Sequence, residues 1–158
     1  MKDVALIAVN LKEDNKACEN AGTAIENSLN FLQKIDPVDQ DTEEVIFGTF
    51  PVLVVGNYDE ALEAYATEGM IFQLAEDVLA SENEAGQSLA EVLELLDIRN
   101  AYVCGMSAEK EIRQLCGGLS QNHIRPHLLD KGIGYPSGMD YQAFLEEMKE
   151  KGVKVTEN

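Results

Sequence analysis

Residues 102–115, YVCGMSAEKEIRQL, close an apolar run and open a helix. Tyr102-Val103-Cys104 are strand-like, Gly105 turns the chain, and Ala108, Ile112, Leu115 and Cys116 then recur at helical spacing. In parallel α/β proteins the first turn after such a junction faces the ligand crevice. Here that turn carries Glu109, Lys110 and Glu111. Carboxylates in this position accept hydrogen bonds, bind hard cations such as Mg²⁺ or Ca²⁺, or exchange protons. They are poor substitutes for a thiol or hydroxyl nucleophile. The same rule applied to the other apolar runs adds Asn10 and Lys12, then Gln73 to Asp77 with Glu76 among them, then Ser107, and finally Asp130. Glu76, Asp77, Glu109, Glu111 and Asp130 together would suit a divalent cation, with Glu109, Glu111 and Asp130 the metal candidates. Acidic residues at strand ends are equally expected of an acidic protein, so no cofactor is expected and Mg²⁺ or Ca²⁺ stands as the alternative.

Cys18, Cys104 and Cys116 lack C-x-x-C spacing and are odd in number, which fits reduced thiols rather than disulfides or a zinc site. Cys104 lies inside an apolar run and Cys116 shares the stripe of Ile112 and Leu115, so both read as core thiols. Cys18 stands near the start of the first helix and reads as a surface or half-buried thiol. His123 and His127 have the i, i+4 interval that binds zinc on a helix. Pro126 intervenes and the segment reads as a strand entry, so both are expected to be surface or half-buried side chains. Asn10-Leu11-Lys12-Glu13-Asp14 contains neither G-x-G-x-x-G nor a Walker pattern, and no nucleotide cofactor is implied.

The elements that must position these residues alternate. Val4-Ala5-Leu6-Ile7-Ala8-Val9 is an unalternating run suited to a central parallel strand buried on both faces. From about Cys18 to Leu32, Ala21, Ala24, Ile25, Ser28, Leu29 and Leu32 keep a narrow helical face, and Pro37 stops it. The acidic stretch 36–44 reads as a loop, and either Val45-Ile46-Phe47 or Val52-Leu53-Val54-Val55 supplies the second strand. A short helix follows at about Asp59 to Ala66, then a strand at Met70 to Leu74. Ser88 and Glu91 form a capping-box pair opening a helix striped by Leu89, Val92, Leu93 and Leu96. Ile124 to Leu129 reads as a strand ending on Asp130, residues 131–138 as a turn-rich loop, and Tyr141, Phe144, Leu145 and Met148 as one helical face before Gly152 and a short last strand, Val153-Lys154-Val155. This succession predicts one three-layer α/β domain over residues 1–158, Rossmann-like, with a mainly parallel sheet flanked by helices.

The chain has 158 residues and a formal net charge of -17. A nucleic-acid partner is not expected, because binding it needs clustered Lys and Arg, and acidic membrane surfaces are excluded by the same repulsion. No apolar stretch approaches the roughly 20 residues of a membrane span, and a cytoplasmic location is expected.

The start Val4 to Leu11, the segment Leu89 to Gly105 ending in Val103-Cys104-Gly105, and the close Gly152-Val153-Lys154-Val155 resemble the isochorismatase-like cysteine hydrolases, which include nicotinamidases. That resemblance implies an aspartate at the end of the first strand, a lysine before the penultimate long helix, and a cysteine on the turn after a Gly-x-x-x-Asp-x-Cys junction. The matching positions here are Asn10, the neighbourhood of Ala75 and Glu76, and Glu111. An amide cannot serve as a general base, and a carboxylate is the weaker nucleophile. The resemblance further implies a cis peptide, which would fall at Met106-Ser107, although Ser107 also reads as an ordinary helix N-cap, and it implies a homo-oligomer. The expectation is a catalytically degenerate member, a pseudoenzyme binding an unknown small molecule or protein through Asn10, Lys12, Gln73, Glu76, Met106, Ser107, Glu109, Glu111 and Asp130. A hydrolase of another class, using strand-end carboxylates with a divalent cation, and an acidic interaction protein for a basic partner are the alternatives.

Overall fold

A computed structural model describes residues 3–12, 18, 20–35 and 51–156. Its strands are β1 (Val4–Val9), β2 (Val52–Val55), β3 (Ile71–Phe72), β4 (Asn100–Gly105), β5 (Arg125–Ile133) and β6 (Lys154–Thr156). The α-helices are α1 (Ala21–Ile35), α2 (Glu60–Glu63), α3 (Leu89–Leu95), α4 (Arg113–Gln121) and α5 (Tyr141–Glu150). All pairings between these strands are parallel, in the order β3-β2-β1-β4-β5-β6. The acidic stretch 36–44 and Val45-Ile46-Phe47 lie outside the described residues; the strand next to β1 is Val52–Val55.

β1 shows why an unalternating apolar run was required. Side chains of a strand point to opposite faces in turn. Ala5, Ile7 and Val9 join the core under α3, α4 and α5, alongside Leu89, Leu115 and Phe144. Leu6 and Ala8 join the core under α1, alongside Ala24, Ile25 and Leu32. Every β1 residue is buried, and each buried aliphatic side chain is worth about 1.5–3 kcal/mol relative to exposure. A polar residue on either face would forfeit that.

Three elements differ from the sequence reading in ways that bear on function. The β5 strand runs on past Leu129 to Ile133, because Leu129 to Gly132 bulge opposite Cys104 between the pairs Val103↔Leu128 and Gly105↔Ile133. Asn27 Nδ2 donates to the Lys131 carbonyl and Ser28 Oγ lies 3.5 Å from that of Gly132, so α1 holds the bulge in place. Ala108–Ile112 form one π-helical turn ahead of α4, with Ile112 N–H donating five residues back to Ser107 O. β3 is only two residues long, flanked by a bridge from Gln73 to Glu82.

Candidate functional site

Register brings five strand ends to one level: Phe72 pairs with Val55, Val55 with Val9, Val9 with Gly105, and Gly105 with Ile133. The next residues continue the row. Gly56 N donates to Phe72 O, Asn10 N to Val55 O, Met106 N to Val9 O and Gly134 N to Gly105 O, all at 2.8–2.9 Å. The sheet winds outward through β2 and β3 on one side of β1, and through β4, β5 and β6 on the other. The ligand crevice of such a sheet opens where the winding reverses, between β1 and β4. Asn10 and the Met106-Ser107 turn therefore stand at its mouth.

Gly105 makes this approach possible. Its φ is +121°, and a Cβ there would collide with the backbone of Val9. Gly134 is similarly close, since a Cβ would fall 2.8 Å from Met106 Sδ and 3.3 Å from Cys18 Cβ. The Met106-Ser107 peptide bond is cis, as the family resemblance implies. Ser107 occupies the cap position of the π turn, but no backbone N–H reaches its hydroxyl, so the ordinary N-cap role read from the sequence is not what it performs.

Glu111 occupies the π turn, half-buried, with Oε2 enclosed by protein and without a hydrogen-bond partner among the described residues. Ser107 Oγ is enclosed and unpartnered in the same sense. Glu109 and Lys110 on the same turn are exposed. Asn10 has a left-handed backbone, φ +49°, which asparagine tolerates; its Oδ1 accepts from the Asn57 N–H at 3.2 Å. Lys12 follows, half-buried, its N–H donating to Asn10 O.

The residues expected after β3 do not all reach the crevice row. A Cβ on Gly56 would collide with the Asn10 side chain and would lie 3.5 Å from Leu74 Cβ, so Leu74 packs on the same glycine as Asn10. Gln73 is exposed and bonded through its backbone to Glu82. Ala75 N–H donates to the buried Ser81 hydroxyl. Glu76 is exposed, its carbonyl accepting from Gln114, and with Asp77, Arg113 and Gln114 it lines an open cleft of about 740 Å³ along α4.

Asp130 requires correction. It lies in the β5 bulge, three residues before the strand-end level, and its carbonyl accepts from Tyr141 Oη at 2.6 Å. The strand does not end there because the bulge absorbs the polar residues that read as a terminus. Consequently Glu109, Glu111 and Asp130 do not form a metal set. Among the described residues no three His, Cys, Asp or Glu side chains are placed to hold an ion.

Cys18 is the residue the sequence misplaced. It is 3% exposed and packs beside Met106 and Gly134 at the crevice. Burial raises its pKa above the usual thiol range; the adjacent Ser107 hydroxyl pulls it back, although that contact is not a well-formed hydrogen bond, and Glu109 and Glu111 push it up again. A neutral thiol is the weak nucleophile. Cys104 and Cys116 are core thiols as expected, both pushed up to about 12 by burial. His123 is exposed, and His127 shares a ring nitrogen with Asn100 Oδ1 at 3.0 Å. Asn20, also unremarked in the sequence, clamps the site: its Nδ2 donates to Ile133 O and its Oδ1 accepts from Tyr135 N–H, both at 2.9 Å. The only signal for Cys18 was the general tendency of free cysteine to be buried.

Solved structures with this architecture span nearly the whole chain. A MAR1 ribonuclease from Caenorhabditis elegans superposes with TM-score 0.76 at 16% identity, covering 99% of this chain and 77% of its own. An isochorismatase from Pseudomonas putida gives 0.74 at 13% identity, with 99% and 88% covered. The nicotinamidase from Staphylococcus aureus gives 0.72 at 10% identity, with 98% of each chain covered. No protein-family model matches the sequence, nor does any curated protein. The fold is that of the isochorismatase-like hydrolases, a three-layer α/β architecture with a parallel sheet. Among the described residues no helix is long and apolar enough to cross a membrane.

Proposed function

We propose that the protein binds a small molecule in the strand-end crevice and does not perform cysteine-dependent hydrolysis. The observation that carries this reading is the pair of enclosed polar atoms at the β1/β4 switch point, Ser107 Oγ and Glu111 Oε2, which find no partner among the described residues. A buried polar group without a hydrogen bond costs about 1–3 kcal/mol, and a ligand that displaces the protein atoms enclosing these two oxygens and pairs with them removes that cost. The chemistry of the neighbours argues against acyl transfer. Asn10 carries an amide whose oxygen is already engaged by Asn57. Cys18, the thiol beside the turn, is held neutral by burial and by two carboxylates. Metal-dependent hydrolysis lacks support, since the acidic candidates do not gather.

The test is a thermal-shift screen of wild type and Glu111→Ala against amides, pteridines, isochorismate-like acids, nucleotides, Mg²⁺ and Ca²⁺, with amide and ester turnover measured alongside. A ligand at 100 times its Kd stabilises by about 2.7 kcal/mol, several degrees for a domain of this size. A shift lost in Glu111→Ala supports the proposal. Turnover that disappears when Asn10, Cys18 or Glu111 is changed would overturn it.

A further inference from the structure

We propose that the α1-side face of the sheet, where Arg125 and Lys154 flank His127, is a binding site for a phosphate group. It stands at the strand starts, the opposite end of the sheet from the crevice, and does not depend on the crevice reading. Paired residues of neighbouring strands point to one face of a sheet. Asn100 pairs with Arg125, Tyr102 with His127, and His127 with Lys154. Tyr102 packs with the core under α1, and its ring lies 5.3 Å from that of Phe31 on α1 and 5.0 Å from that of His127. The shared face is therefore the one α1 covers in part, and the Arg125 and Lys154 Cα atoms lie about 8 Å apart across two neighbouring strands. Both side chains are exposed.

Neither cation has a carboxylate within ion-pair distance among the described residues, whereas Arg99, Arg113, Lys149 and Lys151 each have one. Carboxylates outnumber Lys and Arg by 29 to 12 in this chain, so two adjacent unpaired cations do not follow from composition. A lysine on an edge strand discourages pairing with another sheet, which accounts for Lys154. It does not account for Arg125, whose strand is paired on both sides. The carboxylate of this network, Asp3, is taken by Asn100, whose Nδ2 donates to Oδ2 at 3.3 Å. Asn100 Oδ1 then faces His127 and accepts from its Nε2–H at 3.0 Å, which leaves Nδ1 as the bare acceptor of the ring. Nδ1 has no partner among the described residues and is not enclosed. Burial first, and then Lys154 and Arg125, lower the His127 pKa, so the ring is neutral at pH 7.

A phosphate monoanion matches this set. Its oxygens accept from the Arg125 fork and the Lys154 ammonium, and its remaining O–H donates to Nδ1. A carboxylate at neutral pH has no proton to offer Nδ1. Arg125 also lines a cleft of about 510 Å³ with Asp3, Arg99, Asn100, Pro126 and Gly152, which gives a phosphate-bearing molecule room beside its head group.

The probe is inorganic phosphate, followed through the His127 ring protons by NMR at neutral pH and constant ionic strength, with acetate and chloride as comparison anions. His123→Gln assigns the two histidines. Phosphate is expected to shift the His127 resonances along a saturating curve with a millimolar Kd. It should also raise the His127 pKa by about half a pH unit or more, because the bound anion offsets the two cations. Acetate and chloride should give no saturating change. Arg125→Gln and Lys154→Gln should each weaken phosphate binding about fivefold or more, and Arg125→Lys, which keeps the charge and loses the fork, by less. The melting temperature of each variant without phosphate checks that it is folded, and the wild-type comparison of anions stands without any variant. A response that does not saturate, or acetate acting as phosphate does, overturns the assignment and marks a solvated pair of surface cations. Phosphate binding unchanged in both Arg125→Gln and Lys154→Gln overturns it as well.

Discussion

Replacing Glu111 with methionine should make the protein more stable, which is the opposite of what most substitutions at half-buried positions do. The wild-type side chain encloses one carboxylate oxygen without a partner among the described residues. An unsatisfied buried polar atom costs about 1–3 kcal/mol. Glu111 is only half-buried, so the lower half of that range applies, about 1–2 kcal/mol. Methionine matches glutamate in length, is a comparable helix former and fills irregular space. It forfeits the favourable interaction of an anion with the first turn of a helix, about 0.3–1 kcal/mol. The net gain is about 1 kcal/mol, or roughly 2–4 °C in Tm for a chain of this size. Urea unfolding, with the slope checked for constancy, and calorimetry measure it. Glu109→Met, on the exposed side of the same turn, should leave the midpoint in place. A loss of 1 kcal/mol or more in Glu111→Met would refute the reasoning, because it would mean that the carboxylate is satisfied in the folded protein. The expected combination, higher stability with weaker ligand binding, is the signature of a group kept for function at a cost to the fold.

Thiol labelling of the native protein at neutral pH should leave Cys104 and Cys116 unmodified and Cys18 slow, with all three reacting in denaturant; fast labelling of Cys18 would contradict its burial. Asn20→Ala removes two hydrogen bonds that bracket Gly134 and should lower stability by about 1–3 kcal/mol in urea unfolding. His127 has its pKa lowered from the ordinary 6.5, first by burial and then by Lys154 and Arg125. Below pH 6.5 the unfolded chain therefore binds this proton more readily than the folded one, and stability falls as pH drops. His127→Gln should flatten that limb of the stability curve while leaving the values above pH 7 without added slope.

Much of the fold could be read because its central strands are buried on both faces. β1 and β2 are buried at every residue and so read as unalternating apolar runs, although Val45-Ile46-Phe47 competed with Val52–Val55 for the second strand; β4 alternates at its start, with Asn100 and Tyr102 half-buried, and is fully buried from Val103 to Gly105. Ser88 accepts from the Glu91 N–H, as the capping pair predicts. The ends of elements were less legible. α1 begins at Ala21 rather than Cys18, since Cys18 turns inward toward the crevice before the helix starts. β5 continues through Asp130, Lys131 and Gly132, residues that look like a turn in isolation. What keeps them in the strand is tertiary: side chains of α1 bond the bulge carbonyls from more than 100 positions away in sequence.

The site was legible where backbone pattern determines it and illegible where packing does. Asn10 follows directly upon β1, while Ser107 and Glu111 lie two and six residues beyond β4, on the turn that its end introduces. Asp130 was drawn in by the same rule and falls away because its strand does not end there. Cys18 entered only through folding, and its arrival sharpens the chemistry. A crevice holding a thiol, a hydroxyl and a carboxylate looks equipped for covalent catalysis until the charges are considered. Burial first, and then Glu109 and Glu111, oppose the thiolate that such catalysis requires. A turn with no ligand to hold gains nothing from an enclosed carboxylate that methionine or leucine would replace with better packing. The cost of that oxygen is thus the strongest physical reason to look for a donor that meets it.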